Sequence, residues 1–309
     1  MSFISVLIAL LLEQARPLSR GNPVHAGLRA WVRWSTRNFD AGKSIHGWLA
    51  WSFAVGGPAI VSLIIYWLLD AFAGLPLAWL WSVAVLYATL GFRQFSYHFT
   101  QIRDALADGD EDRARELLAS WQQIDASELP RSEIVRHVIE HSVLAAHRHV
   151  FGVLAWFSVL AAFGFGPAGA VLYRLSEFVV RYWQHKSKTH HQPVSAALQK
   201  NAADAWAVID WMPARMTAIS FAVVGSFEEA IDGWRNYESR FWGDNDGIVL
   251  AATSGAVNIK VGVGSSPGEA SANAAPSMAH MAVIVGLVWR TVVMWMVLLA
   301  LLTLARLLG

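Results

Sequence analysis

Long uncharged apolar runs alternate with polar segments of mixed charge along the chain, and this alternation predicts a polytopic helical membrane protein. Residues 48–69 and 71–92 carry no charged side chain, and Asp70 stands alone between them. In residues 149–173 His149 is the only group that titrates near neutrality, and in 281–305 Arg290 is the only charge. Each run supplies the roughly 20 residues that cross a hydrocarbon core about 30 Å thick. A helix is the form that satisfies its own backbone there. Residues 48–92 read as a hairpin, with Gly74-Leu-Pro76 as a tight turn free of basic residues. The run at 149–173 is interrupted by Phe163-Gly-Phe-Gly166-Pro167-Ala-Gly169. Those residues disfavour a continuous helix and predict a broken or re-entrant one near 163–169. Residues 216–227 are apolar but too short to count as a span. Four to six membrane segments are expected.

The polar segments set the orientation. Arg16, Arg20, Arg29, Arg33, Arg37 and Lys43 lie in 14–47, opposed by Asp40. By the positive-inside rule this segment is cytoplasmic. Residues 93–148 read as amphipathic cytoplasmic helices, with a turn at Asp108-Gly109-Asp110 and a helix start at Pro130 or Ser132. The basic segment 174–215 stays on the same side if the broken run turns back. Residues 261–278, rich in Gly, Ser, Ala and Pro, predict a flexible loop. The apolar N-terminus up to Glu13 has no basic n-region and no small-residue cleavage site, so it reads as a retained half-span or interfacial helix. No internal repeat divides the chain, which reads as one domain over residues 1–309.

Composition supports the same class. Hydrophobic residues make up 55% of the chain and charged ones 15%, against about a quarter charged in soluble domains. Several of the sixteen Trp residues, among them Trp48, Trp51, Trp67, Trp79 and Trp81, flank the runs, where indoles favour the interface. A net charge of +1 with no basic, aromatic-interleaved stretch gives no sign of a nucleic-acid partner. The absence of cysteine excludes disulfides, Cys-based zinc sites and thiol nucleophiles. No phosphate-loop, HExxH or GxSxG motif is present. His137 and His141 share a helix face, but without a third ligand they define no metal site.

A set of local patterns resembles a known family. Asn22-Pro23-Val24 with Gly27-Leu28, Leu90-Gly91-Phe92-Arg93 with His98, and Ala105-Leu106…Gly109-Asp110…Ala114-Arg115 follow in order. Glu133-Ile134…Glu140, Gly166-Pro167…Tyr173-Arg174 and Pro213-Ala214-Arg215-Met216-Thr217 come next. Asn245-Asp246-Gly247…Ala251-Ala252…Gly255-Ala256…Lys260-Val-Gly262 is similar to an Asn-Ala-Gly…Ala-Ala…Gly-Ala…Arg-Leu-Gly segment. Together they resemble the CobD/CbiB membrane proteins of cobalamin biosynthesis.

That resemblance implies adenosylcobinamide-phosphate synthase chemistry, in which a corrinoid carboxylate is joined to an aminopropanol amine with Mg²⁺ and ATP. It further implies that Arg93, His98, Arg174, Arg215 and Lys260 hold anionic groups. Asn245, Gly247 and Gly255 would allow close approach of the ligand, and Asp110, Asp125 and Glu140 would be the acidic groups of catalysis. Several acids of the resembled pattern are replaced: Leu144, Ala145 and Arg148 stand for a Glu-Asn pair and an Asp, and Glu177 and Val180 for an Asn and an Asp. An Asp-Asp pair before Pro213 is also missing, with Asp204 and Asp210 at other spacings. Asp210-Trp211-Met212-Pro213-Ala214-Arg215 is closer to AmpE, a relative linked to β-lactamase regulation. Two expectations follow: a corrinoid ligase of the bacterial inner membrane, or a non-catalytic AmpE-like sensor of cell-wall or β-lactamase signalling. The lipid bilayer is the expected partner, a corrinoid the expected ligand, and a homo-oligomer is compatible with either.

Overall fold

The structure is a computed structural model that describes residues 2–16, 23–189, 194–259, 261–262 and 276–308, without the side chains of 2, 92–95, 188–189, 306 and 307. Its regular elements are helices. In chain order they are α1 (Ser2–Ala15), α2 (Pro23–Phe39), α3 (Ser44–Trp51), α4 (Gly57–Ala73), α5 (Leu75–Thr89), α6 (Phe92–Ala107) and α7 (Glu111–Gln122). There follow α8 (Arg131–Ala146), α9 (Gly152–Ala162), α10 (Ala168–Thr189), α11 (Ala196–Val224), α12 (Phe227–Arg240), α13 (Asn245–Val257) and α14 (Met278–Leu308). Single π-helical turns at Ser52–Gly56 and His147–Phe151 join α3 to α4 and α8 to α9.

Local chemistry sets many of the boundaries. Gly74 takes φ +81° and ψ 169°, a conformation open to glycine, and Pro76 follows in the first turn of α5. Asp110 caps α7 by accepting from the Arg113 N–H at 2.9 Å, after Gly109 turns at φ +80°. Pro130, extended, opens α8, and Asp244 caps α13 by accepting from the Gly247 N–H at 3.1 Å.

Among the described residues, four stretches are long and apolar enough to cross a bilayer: Ser44–Ala73, Arg131–Ala162, Ala196–Val224 and Met278–Ala305. Two of the apolar runs in the sequence fare otherwise than their pattern predicts. The run at 71–92 yields only the 15-residue α5, because Gly74 and Pro76 delay its start and Leu90 ends it in an extended conformation. The short run at 216–227 belongs to the 29-residue α11, whose polar first half hides a spanning helix. The break near 163–169 is present: α9 ends at Ala162, Gly164 and Gly166 take positive φ, and α10 starts at Ala168. Most of the loop expected at 261–278 lies outside the described residues.

The chain divides into two compact units. The first comprises Met1–Gly91 and Gly152–Pro213. Its core packs Val32, Ala50, Val55, Leu175, Val179, Trp183 and Leu198, and the Trp183 indole N–H donates to Thr36 Oγ1 at 2.9 Å. The α9–α10 hairpin is tight, since a Cβ on Gly169 would lie 2.1 Å from the Trp156 carbonyl oxygen. The Trp67 indole donates to the Gly164 carbonyl at 3.1 Å and so fastens the turn to α4.

The second unit comprises Phe92–Phe151 and Ala214–Gly309. Phe151 packs edge-on to Phe221 and close to Trp295, whose N–H donates to Ser220 Oγ at 2.9 Å. The α12–α13 hairpin is drawn together at Gly255, where a Cβ would lie 2.1 Å from the Glu229 carbonyl oxygen. Small residues at such contacts let helices approach in the manner usual inside membranes.

Candidate functional site

The second unit contains a half-buried polar network around the start of α13. Arg215, on α11 two residues after Pro213, pairs with Glu238 of α12 and donates to Asn245 Oδ1 at 3.3 Å. Asn245 is the first residue of α13 and is buried. Glu238 also accepts from the Trp234 indole at 2.8 Å. Beside them Arg148 pairs with Asp246, and His147 Nδ1 lies 2.9 Å from Thr217 Oγ1. The two guanidinium side chains are nearly buried, 11% exposed for Arg215 and 12% for Arg148.

Tyr237 closes one side. Its hydroxyl donates to Asp244 Oδ2 at 2.5 Å, and its ring lies against Gly247 so closely that a Cβ there would be 2.1 Å from Oη. Burial, and then the Asp244 carboxylate, push the Tyr237 phenol above its ordinary value, so it stays a neutral donor. A planar cation with buried hydrogen-bond partners suits recognition of a carboxylate or phosphate.

The other expected residues are distributed as follows. Glu140 pairs with Arg136 at 2.9 Å and accepts from the Gly262 N–H at 2.8 Å, holding the segment after α13 against α8. Lys260 lies outside the described residues, as does the side chain of Arg93. His98 stacks on Trp121, ring centroids 5.6 Å apart, and Trp121 meets His141 edge-on at 4.4 Å. Asp110 is spent on the α7 cap. Asp125 accepts from the Ser127 hydroxyl at 2.7 Å and N–H at 3.1 Å, and these bonds hold its carboxyl below the usual range. Gly255 shapes the α12–α13 contact. Arg174 belongs to the first unit, where it pairs with Glu177. The structure therefore brings together Arg215, Asn245 and Gly247. Of the partners, Arg148 entered the sequence reading only as a reversed charge and Asp246 only as a place in a motif, while Glu238, Tyr237 and Asp244 were missed.

Magnesium takes oxygen ligands, commonly one or two carboxylates beside substrate phosphates. Among the described residues no three His, Asp or Glu side chains converge on one point. The carboxylates of Glu140, Glu238 and Asp246 each lie against an arginine. Among the described residues these carboxylates are thus engaged by arginines rather than gathered on one point.

The four apolar helices of spanning length among the described residues, with a polar network on the faces of α11–α13, define a polytopic helical membrane protein. The sequence profile of the CobD/Cbib protein family matches residues 4–265, and the chain belongs to that family. It is 29% identical to cobalamin biosynthesis protein CobD of Stutzerimonas stutzeri strain A1501, over 96% of each chain. It is 32% identical to the protein of that name in Chromobacterium violaceum, over 59% of this chain and 55% of the other. The Leptospira interrogans protein of the same name is 27% identical over 84% of this chain and 80% of its own. No solved structure matches.

Proposed function

We propose that this chain is a corrinoid-handling protein of the bacterial inner membrane, acting in cobalamin biosynthesis. The observation that carries this reading is the end-to-end match, 96% of both chains, to a protein named for that process. The basic 14–47 segment supports a cytoplasmic location for the polar loops. Arg215, with Asn245 and the close backbone of Gly247, is the locus for an anionic group of the ligand. Glu140 acts through the segment that leads to Lys260, while Asp110 and Asp125 serve their local turns.

The finer reading is ligation of a corrinoid carboxylate to an aminopropanol unit at the expense of ATP. A second reading, an AmpE-like regulator without turnover, is favoured by one observation: the Glu238 and Asp246 carboxylates beside α13 are already engaged by arginines. Purified full-length protein, given a corrinoid carboxylate, an aminopropanol phosphate and Mg-ATP, distinguishes the two by mass spectrometry of the amide. The corrinoid reading predicts corrinoid binding that weakens at least about tenfold in Arg215→Ala, the loss expected for one charge-assisted hydrogen bond. Absence of corrinoid binding at high micromolar ligand overturns it. Binding without amide supports a corrinoid-binding protein that does not ligate.

A further inference from the structure

The first unit holds an open-sided cavity of about 390 Å³ between α2, α4, α5 and α10. Its walls are almost wholly apolar, with Ile65, Trp81, Val85, Leu175 and Phe178 among them. Val61, which also lines it, is 54% exposed and continues the apolar stripe of Ile60, Ile64 and Leu68 on the outer face of a spanning helix. In a bilayer that face meets lipid. Polar groups are few. His25 and Arg174 line the cavity, and so does Ser62, whose buried hydroxyl has no partner among the described residues. His25 Nδ1 is likewise buried without a hydrogen-bond partner.

Cations gather at this polar end. Among the described residues, buried Glu177 pairs with both Arg174 and Arg181, the latter at 2.5 Å. Arg29 adds a third cation close enough to act on His25. Burial, then Arg174 and Arg29, lower the pKa of His25, which leaves a neutral imidazole able to hydrogen-bond. A small soluble phosphate would leave the alkyl walls empty. A corrinoid would press its amide groups against walls that offer them no partners, which is costly. A single hydrocarbon chain matches the walls, and an anionic group matches the rim.

We propose that this cavity binds one acyl chain of an anionic glycerophospholipid, with the phosphate held at the Arg174–His25 end. The inference goes beyond the corrinoid reading and does not rest on it. Each methylene buried adds to retention, and the guanidinium selects for net negative charge over a zwitterion.

The test exchanges the full-length protein in detergent against an equimolar mixture of phosphatidylglycerol and phosphatidylethanolamine, then quantifies retained lipid by mass spectrometry. Wild type retains phosphatidylglycerol in roughly tenfold preference, the selectivity of about 1.4 kcal/mol. Ala88→Trp, which fills the cavity, loses the retained lipid. Arg174→Gln keeps lipid but brings the preference to near one. Glycerol 3-phosphate, the headgroup without its chain, displaces nothing. Should Ala88→Trp fail to fold, as judged by thermal unfolding, the smaller Ala84→Phe replaces it. Unchanged lipid retention in the filled variant overturns the proposal, as does equal retention of both lipids by wild type. Displacement by glycerol 3-phosphate overturns it in favour of a soluble phosphate site.

Discussion

Arg148 and Asp246 form an ion pair that ties the turn after α8 to the first turn of α13. Both positions depart from the resembled pattern, one by gaining a cation where it has an acid, the other by gaining an acid where it has an alanine. The two departures are spatial partners, so the added acid offsets part of the positive charge that Arg148 introduces. Asp246 also sits at the N-terminus of α13, where the helix dipole favours a negative charge.

Removing one partner leaves a nearly buried guanidinium with less compensation. Asp246→Ala is expected to cost about 2 kcal/mol, below the 3–5 of a fully buried pair because Asp246 is partly exposed. Arg148→Met combined with Asp246→Leu is expected to recover most of that loss. Thermal unfolding in detergent of Arg148→Met, of Asp246→Leu and of the double variant measures the coupling. Losses that simply add would refute the pairing.

Gly255→Ala forces a methyl group toward the Glu229 carbonyl and must separate α12 from α13. The expected loss is about 1–3 kcal/mol, the range for overpacking a tight contact. Gly27→Ala is the control, since nothing lies within 4 Å of its added carbon within α2. It should leave Tm unchanged or raise it, because alanine favours the helix by about 0.5–1 kcal/mol.

Tyr237 supplies a pH dependence. Its folded pKa lies above the ordinary value of about 10, through burial and the Asp244 bond. The stabilisation is fully present below that ordinary value and is lost as pH rises from there through the folded pKa. The Tm advantage of wild type over Tyr237→Phe should therefore be constant near neutrality and shrink above about pH 10. An advantage that instead grows with alkalinity would reverse the sign of the shift.

Topology is open to direct labelling, because the chain has no cysteine. Gly169 is a poor site, given the Trp156 carbonyl against it, whereas Phe163 and Phe72 are exposed. The Trp67–Gly164 bond sets the 163–167 turn beside the end of α4 that carries Phe72. Phe163→Cys and Phe72→Cys should react with a membrane-impermeant maleimide from the same side, and Lys43→Cys from the opposite side. Reaction of Phe163→Cys only from the Lys43 side would require a different path for α9.

Much of the helical architecture was legible from the runs of apolar residues and their Gly/Pro breaks. Gly74-Leu-Pro76 marked the α4–α5 turn and Gly164–Pro167 the α9–α10 turn, because glycine and proline act through local backbone geometry. The spanning α11 escaped notice because Lys200, Asp204 and Asp210 fall in its first half, and periodicity cannot tell a buried acid from a loop acid. Asp210 is fully buried and accepts from the Tyr173 hydroxyl at 2.7 Å. In the site, Arg215, Asn245 and Gly247 were legible as motif positions. Their partners were not, since Arg148 meets Asp246 across 98 positions and Arg215 meets Glu238 across 23, and only the packing of separate helices makes those pairs.

The most direct test of the central claim is genetic complementation in a bacterium lacking its adenosylcobinamide-phosphate synthase, with cobamide production from the corrinoid precursor as the readout. A chain that works in corrinoid amidation restores production, and Arg215→Ala at equal membrane abundance does not. Failure of the wild-type chain to restore production, when present in the membrane at the level of a functional synthase, would contradict the corrinoid-ligase account and leave a protein without that turnover.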